Sequence, residues 1–379
     1  MKNEFASGER NMEKVRIGIT HGDINGISYE IIIKAFSDKR MFDFCTPIVY
    51  GSSKVASYHR KTLNATSFNF NPVKRADQAN PQRANIINVF DEEARIDLGK
   101  STDVGGQLSF ISLQAAIQDL KQQRFDALVT APINKQNIQS KDFHFPGHTE
   151  YLTQEFESKE SLMLMVSDQM RIGVATGHIP ISDVPNTISQ ELIFDKLRLM
   201  NHSLQRDFGI TKPKIAVMGL NPHAGDDGLL GQEEQEVINP AIEQAFDKGI
   251  LAFGPFPADG FFGTLQFRQY DGVLAMYHDQ GLIPFKTLSF DCGVNFTAGL
   301  SIVRTSPGHG TGYDIAGKNE ASPESFRQAL FLAADIYQNR KQWDKMNANP
   351  LRDNILMKET DNEVDEDLPE DNAEDQPVV

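Results

Sequence analysis

The chain has 379 residues, 40% of them hydrophobic and 23% charged, with a formal net charge of -15 at pH 7. That length allows two domains of ordinary size with a substantial core, and the composition is that of a globular protein, excluding collagenous, coiled-coil and membrane-spanning chains. The acidity is local: residues 359–379 hold ten acidic side chains and no basic one, leaving -5 for the other 358 residues and no Lys/Arg stripe that would serve nucleic acid.

The N-terminal stretch MKNEFASGER is polar and lacks the apolar run of a secretory signal. Cys45 and Cys292 are the only cysteines, too few for a disulfide framework or a four-thiolate zinc site. Both features lead to the expectation of a cytoplasmic protein. Short apolar runs rich in β-branched residues then recur at Val15 to Thr20, Pro47 to Tyr50, Ala127 to Thr130, Ser161 to Val166, Ile172 to Thr176, Lys214 to Met218 and Gly272 to Met276, and these are predicted strands. Amphipathic stretches at Phe110 to Gln123, Gln190 to Phe208 and Glu233 to Lys248 are predicted helices. The alternation predicts α/β architecture with mostly parallel sheets. Leu63 to Ala84, with its Asn, Pro and Gln, reads as an irregular excursion, and residues 359–379 read as a disordered tail with little to bury.

Polar, glycine- and proline-containing turns follow the strands directly: THGDINGIS, TAPINK, ATGHIPISD and GLNPHAGDDG. Ligands of open α/β sheets bind outside the carboxyl ends of the strands, so chemistry is expected in these turns. Histidines concentrate there, with His148 in FPGHTE, His178 in ATGHIP, His223 in NPHAGD, His278 in AMYHDQG and His309 in PGHGTG. Three neutral imidazoles with an open position suit a divalent metal acting as a Lewis acid, yet no short signature such as HExxH selects a trio, so metal binding and structural hydrogen bonding stand at even odds. Lys286, Asn295 and Arg304 lie on or beside apolar stretches, where a cation requires either an anionic ligand or an internal carboxylate. Asp259, in GPFPADGFF, suits a proton acceptor or an Asx-turn equally well. SPGHGTGYDIAGK is rich in glycine, but its spacing is neither GxGxxG nor GxxxxGK[ST]. Cys292 reads as a small buried hydrophobe.

Taken together, TAPINK, FPGHTEYL, ATGHIPISDV, GLNPHAGDDGLLGQEE, GPFPADGFF, YDGVLAMYHDQGLIPFK and GVNFTAGLSIVRTSPGHGTGYDIAGK resemble, in order, the 4-hydroxythreonine-4-phosphate dehydrogenase family of pyridoxal phosphate biosynthesis. The resemblance implies an NAD-dependent oxidation of 4-phosphooxy-L-threonine to 2-amino-3-oxo-4-phosphooxybutanoate, which decarboxylates to 3-amino-2-oxopropyl phosphate. It implies two α/β domains akin to isocitrate and isopropylmalate dehydrogenases, with the active site in the interdomain cleft at a homodimer interface. The corresponding limits are 12–140 with 300–350 for the first domain and 141–299 for the second. By motif, His178, His223 and His278 would hold a divalent metal (zinc, magnesium or cobalt). His148, Thr149, Lys286, Asn295 and Arg304 would bind the phosphorylated amino-acid substrate, with Asp259 and Lys286 as catalytic groups. His309, Gly310, Thr311 and Asp314 would approach the adenosine half of NAD, in a nucleotide loop that explains the missing Rossmann fingerprint.

The sequence departs from the family pattern in two places. Gly312 and Tyr313 stand where Ala and Phe are usual, with Asn319-Glu320 in place of Gly-Ile, and GDINGISYE replaces a turn that normally has Pro after the acid and ends in GIGPE. The runner-up is a paralogue of the same superfamily that oxidises and decarboxylates another small hydroxy acid.

Overall fold

The computed structural model describes residues 14–90 and 94–349; the predicted acidic tail lies outside them. The chain divides into two units, Met1–Arg340 and Lys341–Val379. In the second, the described residues continue a helix to Met346. All strands belong to the first.

The strands are β1 (Val15–Thr20), β2 (Cys45–Gly51), β3 (Asn71–Pro72), β4 (Asn85–Asn88), β5 (Ala127–Thr130), β6 (Leu162–Val166), β7 (Arg171–Val174), β8 (Lys214–Met218), β9 (Leu251–Phe256), β10 (Gly272–Ala275), β11 (Val294–Ala298) and β12 (Arg304–Pro307). The helices are α1 (Ser28–Ser37), α2 (Met41–Phe44), α3 (Ser53–Thr62), α4 (Asp103–Lys121), α5 (His148–Glu155), α6 (Val184–Thr187), α7 (Gln190–Arg206), α8 (Asn239–Asp247), α9 (Ala258–Gly263), α10 (His278–Ser289) and α11 (Glu324–Met346). Every predicted strand is present, and the alternation produces the expected mixed α/β fold. Among the described residues, no helix is long and apolar enough to cross a membrane.

One twelve-stranded sheet runs in the order β3-β4-β2-β1-β5-β12-β11-β6-β7-β10-β8-β9. Pairing is parallel from β3 to β12 and again from β7 to β9, but β12–β11, β11–β6 and β6–β7 are antiparallel. Among the parallel strands, β2 and β5 are buried at every position, as strands covered on both faces must be. The two long helices beside them start where a side chain can accept from a free amide. Thr102 caps α4 by accepting from the Gly105 amide, and Ser189 caps α7 by accepting from that of Leu192.

Beneath the THGDINGIS turn, Tyr29 stacks between His21 and His59, with ring centroids 5.4 and 5.1 Å away and planes within 20°. Neither ring nitrogen of His21 has a partner, whereas Nε2 of His59 bonds the Ile24 carbonyl oxygen. Burial holds both imidazoles down at about 4, so they fold neutral. The unfolded chain takes up these protons near the ordinary value of 6.5, so stability is fully present above that pH and declines as pH falls from about 6.5 towards 4. Between pH 7 and 5 each histidine should remove about 2 kcal/mol of unfolding free energy. Denaturant titrations at the two pH values test this. His21→Phe, which keeps the stacked ring and removes a protonation site, should reduce the decline; an unchanged decline would contradict the assignment.

Candidate active site

The reversal of direction in the middle of the sheet decides where ligand-binding turns can meet. The carboxyl ends of β5 and β12 open from one half and those of β7 and β10 from the other, with β11 and β6 between them. A cleft of about 570 Å3 lies there. Alternation along a strand places every second residue on one face, and register aligns them across the sheet. Ser306 of β12 pairs with Asn295 of β11, which pairs with Met165 of β6. One step along, Arg304 and Thr297 share that face, and all but Thr297 line the cleft directly.

Arg304 is 3% exposed. Its Nε and Nη2 donate to the Thr130 hydroxyl at 3.1 and 2.7 Å, and Nη1 donates to that of Thr297 at 3.2 Å. None of these partners is charged, and burial lowers the guanidinium to about 10, with Glu150 pulling the other way. A buried cation with two of its five N–H groups still to be satisfied, held by hydroxyls, is suited to an anion arriving from the cleft. Two neighbours are in the same condition. Nε2 of His148, at the start of α5, and Oδ1 of Asn295 are buried without partners. Burial, followed by Arg304 and Lys135, holds His148 well below the usual histidine range, so it meets a ligand as a neutral imidazole.

On the opposite wall, the rings of His178, from the turn after β7, and His278, which begins α10, lie 5.5 Å apart. Nδ1 of His278 donates to the Asp279 carboxylate at 2.8 Å, which leaves its Nε2 as the lone-pair nitrogen. His178 is lowered by burial and then by Lys135 and His278. Two imidazoles side by side, one oriented by a carboxylate, are donor chemistry that a divalent metal can use.

Of the residues selected from sequence, His148, Thr149, His178, His278, Lys286, Asn295, Arg304, His309 and Gly310 line this one cleft. His223, Asp259, Thr311 and Asp314 do not. His223 sits in a run of left-handed residues, His223 to Asp227, whose base is held by Glu234 accepting from the Leu220 and Asn221 amides at 2.8 and 2.7 Å. Within one chain, among the described residues, no three His, Cys, Asp or Glu converge as a metal cluster. Asp259 lies exposed in α9.

Sequence reasoning missed Thr130, Lys135, Glu150, Lys196 and Ser306, which also line the cleft. Thr130 and Lys135 flank the TAPINK turn and Glu150 completes GHTE, so position beside a chosen histidine was the available signal. Lys196 carried none. It projects from α7 to donate to the Ser161 carbonyl oxygen at 3.0 Å, and burial lowers it from the usual lysine value.

Residues 43–333 match the family model described as pyridoxal phosphate biosynthetic protein PdxA. A 4-hydroxythreonine-4-phosphate dehydrogenase from Bacteroides thetaiotaomicron is 49% identical over 93% of this chain and 99% of its own. One from a Sulfurihydrogenibium species is 40% identical over 86% of this chain and all of its own. Among solved structures, the 4-hydroxythreonine-4-phosphate dehydrogenase of Klebsiella pneumoniae superposes with a TM-score of 0.76 at 34% identity, covering 86% of this chain and 99% of that one.

Removing the buried guanidinium should abolish the cleft's attraction for anions without loosening the fold. Arg304→Gln is expected to weaken binding of inorganic phosphate by at least tenfold, about 1.4 kcal/mol, in calorimetric titration. Its melting temperature should hold or rise, because an unpaired buried charge has gone. Equal phosphate binding by the variant would show that the anion site lies elsewhere.

Proposed function

The chain belongs to the PdxA family, and from that premise we propose that it is an NAD- and divalent-metal-dependent 4-hydroxythreonine-4-phosphate dehydrogenase, acting as a homodimer in pyridoxine 5'-phosphate biosynthesis. The reaction is oxidation of 4-phosphooxy-L-threonine to 2-amino-3-oxo-4-phosphooxybutanoate, whose loss of carbon dioxide gives 3-amino-2-oxopropyl phosphate. The observation that carries this reading is the juxtaposition in one cleft of an uncompensated buried cation, Arg304, with a pair of imidazoles, His178 and His278.

The substrate brings a phosphate, a carboxylate and a hydroxyl to be oxidised. Arg304, Lys286, His148, Thr149 and Asn295 bind its anionic part in this proposal: a planar guanidinium presents paired donors to an oxyanion, and a neutral His148 can donate one more hydrogen bond without adding charge. Lys135 and Lys196 add positive charge along the same wall, in keeping with a multiply charged substrate. Holding the substrate at both ends places its hydroxyl near His178 and His278, and such orientation contributes much of the rate. When bound, a divalent metal supplies Lewis acidity towards the substrate oxygens and NAD supplies the two-electron acceptor.

His178 and His278 would hold that metal, with His223 as the third ligand. Because His223 stands outside the cleft of its own chain, the reading calls for a second copy to complete the triad, consistent with a site at a homodimer interface. His309 and Gly310, on the cleft's edge after β12, and Thr311 and Asp314 beyond them, would receive the adenosine half of NAD. Nε2 of His309 is buried without a partner, and exposed Gly310 has open space where a side chain would begin, so both fit a nucleotide. The proposed domains, 12–140 with 300–350 and 141–299, then meet along the antiparallel strands under the cleft. Asp259 is proposed as a group that accepts a proton or orients the substrate amine.

The test is NADH formation at 340 nm from 4-phosphooxy-L-threonine. EDTA-stripped protein should be inactive and recover with zinc, magnesium or cobalt. His178→Ala and His278→Ala should each reduce kcat by roughly a hundredfold or more with the fold intact. No turnover with any of these metals, from folded protein that binds NAD, would overturn the substrate assignment.

A further inference from the structure

The turn after β1 and the segment after β12 touch one another. Tyr313 donates its hydroxyl to Oδ2 of Asp23, in that first turn, at 2.7 Å. Asp23 is fully buried, and among the described residues no salt bridge reaches it. Its carboxyl group accepts from three donors: the Tyr313 hydroxyl, the Asn137 side chain at 2.8 Å to the same oxygen, and the Asn25 amide at 2.8 Å to Oδ1. The phenol is a dependable donor at neutral pH, since burial and then Asp23 push it up to about 12.

The backbones are locked together in the same place. The Ile27 amide donates to the Thr311 carbonyl oxygen at 2.9 Å, and a Cβ on Gly26 would lie 2.4 Å from that oxygen. Gly312 has φ of +55°, a conformation that favours glycine, and a Cβ there would press on the Ile27 side chain at 2.9 Å. Asn25 extends the connection: its side chain donates to the Thr102 hydroxyl and accepts from the Asp97 amide, both at 2.8 Å. On the far side of the loop, Nζ of Lys34 donates to the carbonyl oxygens of Asn319 and Ala321 at 3.0 and 2.8 Å.

We propose that Tyr313 is a positioning residue for the nucleotide, its bond to Asp23 holding the segment after β12 in the shape that receives NAD. This rests on the reading of His309, Gly310, Thr311 and Asp314 as the cofactor loop. The hydroxyl is directed into the turn of Asp23 and would act through the backbone on either side of it.

Tyr313→Phe keeps the ring and removes the hydroxyl, and with it the bond to Asp23 and the longer one from Asn137 at 3.5 Å. Because the bond acts on the loop and not on the nucleotide itself, a partial loss in NAD binding of roughly tenfold is expected. Calorimetric titration with NAD should show that rise in Kd. The KM for NAD should rise with it while kcat stays within about twofold, and hydrogen exchange at residues 309–318 should quicken in the absence of nucleotide. Asp23→Asn should weaken NAD binding as well, and the double variant should be no worse than the more affected single one. Wild-type protein that binds NAD no more tightly than Tyr313→Phe would overturn the inference alone. Wild-type protein that binds no NAD would overturn the cofactor reading and this inference with it, and the wild-type titration separates the two cases.

Discussion

A parallel sheet carries all its carboxyl ends, and hence its ligand-binding turns, along one edge. Three antiparallel pairings in the centre of this sheet break that rule, and the rest of the architecture follows from the break. The turns of one half come to face those of the other across the central strands. Anion-binding residues come from β11, β12 and α5 on one wall, and imidazoles come from the ends of β7 and β10 on the other. Neither half alone holds both kinds of chemistry. The central strands bring Arg304, Asn295 and Met165 to a common face because register, once set, leaves alternate residues no other choice.

Much of this was legible in the sequence, and the reasons are physical. β1, β5 and β8 match their predicted bounds because nearly every position is buried, which leaves short, dominantly apolar runs in the sequence. β11 and β12 were not predicted because the cleft requires Asn295, Thr297, Arg304 and Ser306 on one of their faces, and that polarity erases the strand pattern. α10 was hidden for a related reason: it begins at His278 and contains Pro284, which reads as a loop signal. Of the residues selected in turns beside glycine and proline, His148, His178 and His309 line the cleft and His223 and Asp259 do not. Lys196 escaped because a lysine on an amphipathic helix looks the same whether it faces solvent or reaches a cleft.

His223 shows what neither pattern nor motif could supply. Its sequence setting, a turn after a strand, matches that of His178, yet only one of them reaches the cleft of its own chain. β7 adjoins the central antiparallel strands whereas β8 lies beyond β10, and the turn after β8 is a left-handed loop anchored on Glu234; periodicity reveals neither.

That loop also has a bearing on which substitutions the chain tolerates. His223, Ala224, Gly225, Asp226 and Asp227 all have positive φ, between 45° and 81°, a run of more than one turn wound against the natural hand of L-residues. Only glycine adopts this conformation freely; asparagine and aspartate do so at modest cost, and most other residues at about 1 kcal/mol or more each. Asp226 and Asp227 therefore owe their place to the backbone as much as to their charge. Drift in this segment is confined to a narrow alphabet even where no side chain touches a ligand. The acidic pair that reads as a charge cluster is, in folding terms, a pair of permissive hinges for a left-handed turn.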